Sequence, residues 1–100
     1  MELTETQIKA IKTAVGYRGR KISVEPFKPM SLNSYWSGGS RDYFFFVSLN
    51  GRVLETIPQN GTPFDKLDLR ADTLEADRVL VRSSVIGGKN GPLRIYTPKN

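Results

Sequence analysis

Residues 41–57, RDYFFFVSLNGRVLETI, decide the fold of this chain. Residues 43–49 are mostly aromatic or β-branched, a composition that favours a β-strand. Asn50-Gly51 is typical of a two-residue hairpin turn in which both residues have positive φ, and residues 52–57 then return as the second strand. This loop predicts three cross-strand pairs: Leu49 with Arg52, Val47 with Leu54, and Phe45 with Thr56.

The first strand of this hairpin is apolar on both of its alternating faces. Such a strand is either covered on both sides, or covered on one side and exposed as a site on the other. We therefore expect Phe45, Val47 and Leu54 in the core.

A helix is predicted near the N-terminus, over residues 5–15. Thr4 and Gln7 have the spacing of a capping box, in which each side chain accepts a hydrogen bond from the other residue's backbone N–H. Gly16 is placed to end the helix. The apolar positions between these signals have helical spacing: Ile8, Ile11 and Val15.

Three further segments have the pattern of β-strands: residues 21–27, 78–86 and 93–97. Pro26 either ends the first of them or places it at a sheet edge. Setting Val85 opposite Leu93 matches the apolar faces of the last two strands. The same pairing puts Arg82 and Arg94 together on the other face.

These elements predict an α+β fold, with one N-terminal helix packed on a mainly antiparallel sheet of four to five strands. The sheet is either open or curled towards a half-barrel. Because 100 residues is the size of one domain, residues 1–100 are expected to form a single small α+β domain.

The inventory of reactive side chains is short, since the chain has no cysteine and no histidine. Disulfides, thiol nucleophiles, zinc clusters and histidine general bases are therefore excluded. Carboxylates, lysine and tyrosine remain, which is a narrow basis for catalysis. We expect no enzyme activity, no cofactor and no metal site.

The net charge of +5 is unevenly distributed. Residues 65–77 hold five acids and two bases, so the rest of the chain carries +8. A basic surface attracts polyanions such as nucleic acid, although charge also serves solubility alone. The longest apolar run, residues 43–47, is far below the roughly 20 residues that span a bilayer. The chain begins without a signal-like segment, and we expect no membrane association and a cytoplasmic location.

The first candidate site is the segment GYRGRK at residues 16–21, which joins the helix to the first strand. Its candidate binding residues are Tyr17, Arg18, Arg20 and Lys21. Arginines contact phosphates bidentately and a tyrosine ring stacks on a base. The alternative is a solvated connector, whose cations lie near the negative end of the helix dipole.

The second candidate site surrounds Gly38-Gly39 and contains the single tryptophan. Its candidate binding residues are Tyr35, Trp36, Arg41 and Tyr43. Tryptophan, tyrosine and arginine are the residues that anchor protein interfaces. The alternative is that Trp36 and Tyr43 fold inward and close one end of the core.

Two weaker patterns are interpreted structurally. Residues 87–91, GGKNG, lack the Lys-Ser/Thr pair and the following helix of a phosphate loop, and are predicted to form a hairpin turn. The acidic residues lack the EF-hand spacing and are interpreted as a loop that balances the basic body: Asp65, Asp68, Asp72, Glu75 and Asp77. Residues 64–76 are predicted as either a half-exposed strand or a short helix.

Two functions of different classes fit these patterns. The first is a non-enzymatic protein-interaction module, or a small accessory or inhibitor protein, that uses the aromatic loop at residues 35–43 as its anchor. The second is a basic nucleic-acid-binding domain. The two candidate sites meet in one patch if the strands that follow them run in the same direction. They are separated by about 20 Å if those strands are antiparallel neighbours. The sequence leaves the oligomeric state open.

Overall fold

A computed structural model describes the backbone of the chain over six ranges: residues 2–27, 30–31, 43–57, 68–69, 74–83 and 91–98. Helix α1 is Glu5–Ala14. Thr4 Oγ1 accepts a hydrogen bond from the Gln7 N–H at 3.1 Å, and Gln7 Oε1 accepts one from the Thr4 N–H at 2.9 Å. The predicted capping box is confirmed.

The helix ends at Ala14, one residue before the predicted end, and Gly16 terminates it as the sequence predicts. Gly16 has a φ of 72°, a backbone conformation that glycine adopts without a steric penalty. The Tyr17 N–H donates to the Lys12 carbonyl at 2.8 Å, and the Gly16 N–H donates to the Thr13 carbonyl at 3.2 Å. These two bonds form a Schellman motif, which satisfies carbonyls at the helix end.

In the described ranges, seven strands follow the helix: β1 (Ile22–Pro26), β2 (Met30–Ser31), β3 (Tyr43–Ser48), β4 (Val53–Ile57), β5 (Asp68–Leu69), β6 (Arg78–Ser83) and β7 (Leu93–Thr97). Five of them form one sheet in the order β1-β7-β6-β3-β4, and β2 pairs antiparallel with β5. Within the described residues this sheet is open, with β1 and β4 at its edges. The predicted α+β fold is confirmed in its open form.

One pairing of the sheet is parallel. β1 lies beside β7 with Ile22 opposite Leu93 and Val24 opposite Ile95, whereas the other neighbours are antiparallel. Pro26 lies in the edge strand β1, one of the positions that its missing N–H allows.

A core lies between α1 and one face of the sheet. Its members are buried apolar residues from the helix and from the three inner strands: Ile11, Val15, Val47, Val79, Val81, Leu93 and Ile95. Phe45 is only half-buried and packs against this cluster.

The opposite face of the sheet also buries apolar side chains, beside Arg82 and the exposed Arg94. Phe44 and Leu80 have no exposed surface, and Tyr96 is 4% exposed. The Phe27 ring meets Tyr96 edge-to-face, with centroids 6.4 Å apart, an arrangement that aromatic pairs prefer. β3 therefore buries residues on both faces, Val47 on the helix side and Phe44 on the other.

The turn of the β3–β4 hairpin differs from the prediction. The Gly51 N–H donates to the Ser48 carbonyl, and the Ser48 N–H to the Arg52 carbonyl, both at 2.9 Å. Gly51 has a φ of 89°, whereas no described non-glycine residue, Asn50 included, has a positive φ. The loop thus has three residues and a single left-handed glycine, the second commonest hairpin type. The prediction of positive φ at Asn50 is wrong.

This longer loop changes the pairing beside it. Val47 lies opposite Val53, and a β-bulge then restores the register, so that Phe46 faces Glu55 and Phe45 faces Thr56. The predicted Phe45–Thr56 pair is confirmed and the Val47–Leu54 pair is wrong. Leu54 falls out of register on an edge strand and is 42% exposed, so its predicted burial is also wrong.

The β6–β7 hairpin has the predicted faces in a different register. Ser83, not Val85, lies opposite Leu93, and Arg82 lies opposite Arg94. A shift of two residues leaves every side chain on the same face, since the side-chain period of a strand is two. Residues 84–90, which contain Val85 and most of the glycine-rich turn, lie outside the described residues.

Candidate functional site

The two candidate segments lead into the same end of the sheet. β1 is parallel to β7, β7 is antiparallel to β6, and β6 is antiparallel to β3, so β1 and β3 run in the same direction. Tyr43, Ser83, Leu93 and Ile22 form one row across four strands. The starts of β1 and β3 are therefore three strand spacings apart, about 14 Å. The two strands are not neighbours, and their shared direction favours a single patch.

The Tyr17 ring makes contacts within the protein itself. Tyr17 is half-buried and packs against the helix-side core. The Lys12 ammonium lies 4.7 Å from the centroid of its ring, within the range of a cation–π contact. The Schellman motif fixes this arrangement, because it turns the chain back towards Lys12.

The Arg20 side chain points into the protein. It is 9% exposed and donates to Ser83 Oγ from Nη1 and to the Gly16 carbonyl from Nη2, both at 3.3 Å. Burial lowers the pKa of the Arg20 guanidinium, the nearby Tyr17 raises it, and Arg18 lowers it again. Arg20 thus ties the C-terminal end of the helix to β6, as a cation at the negative end of the helix dipole.

Three described candidates remain accessible at this end of the sheet. Arg18 and Lys21 are exposed, and Tyr43 is half-buried at the start of β3. We call this set the connector surface: Arg18, Lys21 and Tyr43. Tyr35, Trp36 and Arg41 lie outside the described residues. The sequence leads from them directly into Tyr43.

Two acids of the acidic segment, Glu75 and Asp77, are paired with a base. Arg78 Nη2 lies 2.9 Å from Glu75 Oε2, and Arg78 Nε lies 3.5 Å from Asp77 Oδ1. Among the described residues, no three acidic side chains are grouped so that they could hold a metal ion. For Glu75 and Asp77, this pairing agrees with the interpretation of the segment as a counterweight to the basic body.

A shallow cavity of about 310 Å³ lies between α1 and the β3–β4 turn. Its lining includes Gln7, Ala10, Leu49 and Asn50. Two polar side chains of this lining are used within the fold, since Gln7 Oε1 accepts from the Thr4 N–H and Asn50 Oδ1 accepts from Ser48 Oγ. Specific ligand sites need polar groups that converge on the ligand, and these two oxygens are directed to the protein itself.

The structure shows notable positions for several residues that the sequence patterns did not identify as candidates. The large apolar side chains that are most exposed among the described residues lie on the two edge strands: Val24, Val53 and Leu54. For Val24, the signal available in the sequence was Pro26, which marked β1 as a possible edge. Ser83 was also missed, although it continues the buried face of Val79 and Val81 as its one polar member.

No protein-family model, curated protein or solved structure matches this chain. In the described part of the chain, no helix is long and apolar enough to cross a membrane.

Proposed function

We propose that this chain is a non-enzymatic protein-interaction module that binds its partner at the connector surface, Arg18, Lys21 and Tyr43, together with the aromatic segment that leads into Tyr43. The observation that carries the proposal is the common direction of β1 and β3, which sets two exposed cations and an aromatic side chain at one end of the sheet.

The composition of this surface suits a protein partner. Arginine and tyrosine are enriched among the residues that supply most of the binding energy at interfaces, and tryptophan is the third such residue. Arg18 and Lys21 favour a partner with acidic groups around the contact, because complementary charges guide association and orientation.

The side chains of the connector give less support to nucleic-acid binding. Tyr17 is half-buried with Lys12 against its ring, and Arg20 is inside the fold. Two of the four connector candidates are thereby engaged, which leaves Arg18 and Lys21 for phosphate contacts. Affinity for nucleic acid depends on several such contacts and falls steeply with salt, so salt dependence separates the two functions.

The test is a capture experiment from the native host with two variants of equal charge change. Arg18→Glu alters the connector surface, and Lys9→Glu alters an exposed lysine of α1. The proposal expects a partner protein that wild type and Lys9→Glu retain after nuclease treatment, and that Arg18→Glu loses. Equal retention by all three proteins would rule out this surface.

Trp36 provides a second readout, because it is the only tryptophan. Its fluorescence is followed while single-stranded oligonucleotide is added at low and at moderate salt, and then while the captured protein is added. We expect a response to the protein alone. Quenching by oligonucleotide that fades as salt rises would instead support the nucleic-acid function.

A further inference from the structure

Among the described residues, the backbone groups on the outer side of β1 have no partner. The Leu93 N–H donates to the Lys21 carbonyl and the Phe27 N–H to the Thr97 carbonyl. In a parallel pair, alternate residues of a strand bond to the same neighbour. Residues 21, 23, 25 and 27 therefore face β7. The N–H and C=O groups of Ile22 and Val24 point to the open edge, where Val24 is 43% exposed.

The sequence along this edge is complementary to itself. Residues 21–25 are Lys-Ile-Ser-Val-Glu, which is cation, apolar, polar, apolar, anion. When such a strand lies antiparallel to a copy of itself with the serines opposed, each Lys21 meets a Glu25. Each Ile22 meets a Val24, on the other face of the sheet.

We propose that two copies of the chain pair through β1, antiparallel, with Ser23 opposite Ser23 on the two-fold axis. The two sheets then form one continuous sheet. Symmetric interfaces of this kind use the same surface of both copies, and edge strands are the usual templates for such pairing. This inference does not rest on the partner proposed above, although Lys21 belongs to both surfaces.

The backbone is compatible with this register. With Ser23 on the axis, Ile22 and Val24 form two hydrogen-bonded pairs, and every outward N–H and C=O of these residues finds a partner. Centring on Val24 instead would place Pro26 opposite Ile22, and proline has no N–H to donate. The β-bulge at Leu54 interrupts the ladder of the other edge strand, β4, and bulges protect edges from pairing.

The charges agree with the same register. Lys21 and Glu25 would form a non-hydrogen-bonded pair, in which side chains come closest together. Ser23 Oγ donates to Glu25 Oε1 at 3.1 Å and so holds the carboxylate on the strand. Neither Lys21 nor Glu25 forms an ion pair with any described residue.

The test combines charge-reversal variants with a mixture of those variants. Association is measured by sedimentation velocity over roughly 10 to 500 µM protein, because an interface formed by two short edge strands is small and therefore weak. Wild type and the matched control Lys9→Glu are expected to shift from one chain to two as concentration rises. Lys21→Glu and Glu25→Lys each place like charges opposite, and each is expected to weaken the dimer about tenfold.

An equimolar mixture of these two variants restores both charge pairs between unlike chains. We expect the mixture to associate like wild type. A wild-type protein that stays monomeric over the whole range, or variants that dimerise as wild type does, would overturn the proposal. A mixture that stays monomeric while wild type dimerises would contradict the register with Ser23 opposite Ser23.

Val24→Pro tests the backbone part separately. It removes an outward N–H that β7 does not use, and Val24→Thr keeps that N–H with a polar side chain. We expect Val24→Pro to abolish the dimer and Val24→Thr to keep it, with both variants giving the wild-type circular dichroism spectrum. A folded Val24→Pro protein that still dimerises would contradict pairing through β1.

Discussion

Gly51, in the β3–β4 turn, lies against Ala10 of the helix so closely that a Cβ at residue 51 would sit 2.7 Å from the Ala10 carbonyl oxygen. A glycine is required here twice over, because its φ of 89° also lies in the left-handed region. The turn and the helix therefore fix each other's position.

The first prediction follows from this contact. Gly51→Ala is expected to destabilise the protein by about 2 to 4 kcal/mol, because backbone strain and a clash with helix backbone act together. Gly19→Ala is the control, since Gly19 has a φ of 71° and its added Cβ would meet nothing within 4 Å. Thermal unfolding compares the two variants. An equal loss at both sites would mean that the clash with Ala10 costs nothing.

The second prediction concerns two neighbouring phenylalanines. Phe44 has no exposed surface whereas Phe45 is half-buried. Phe44→Ala is expected to cost about 3 to 5 kcal/mol and Phe45→Ala clearly less, because the cost of truncation depends on the cavity that remains. Urea unfolding of both variants measures the difference. The reverse order would show that the face opposite the helix contributes less to stability than its burial indicates.

The third prediction concerns the buried guanidinium. Arg20→Ala removes the hydrogen bonds to Ser83 Oγ and the Gly16 carbonyl, and is expected to cost about 2 kcal/mol. Arg18→Ala, at an exposed position, is expected to change stability by less than about 0.5 kcal/mol. A double-mutant cycle with Ser83→Ala is expected to give a coupling of about 1 kcal/mol. If the effects of the two single substitutions on stability simply add, Arg20 and Ser83 do not interact.

The fourth prediction concerns the start of the helix. Thr4→Ala removes the acceptor for the Gln7 N–H and is expected to cost about 1 kcal/mol. Thr6→Ala is the control, because Thr6 is exposed inside the helix and alanine has the higher helix propensity. A Thr4→Ala protein as stable as Thr6→Ala would mean that the capping box adds no stability.

Local signals in the sequence predicted most of the fold. Thr4, Gln7 and Gly16 define the helix through hydrogen bonds and φ angles that depend on a few adjacent residues. The alternation of residues 78–83 and 93–97 likewise gave the correct faces of β6 and β7. These features are encoded within one turn or one strand, and sequence patterns report them directly.

Features that depend on distant contacts were not predictable. Asn50-Gly51 favours a two-residue loop. The chain instead forms a three-residue loop, in which Gly51 meets Ala10 of the helix, and a bulge at Leu54 compensates for the extra residue. Arg20 was predicted to be an exposed binding residue, because no residue near it in the sequence indicates its hydrogen bond to Ser83. The parallel pairing of β1 with β7 likewise joins residues far apart in the chain.

That pairing bears on how the chain is made. Residues 22 and 93 are neighbours in the sheet, so during synthesis the helix and β1 leave the ribosome long before β7 exists. Closing so long a loop carries an entropic cost before any contact repays it, and non-local pairing of this kind slows folding. Until β7 arrives, both lateral edges of β1 are open. The nascent chain is therefore most prone to pair wrongly in this interval, and a stop codon before residue 93 would leave β1 without a place in the sheet.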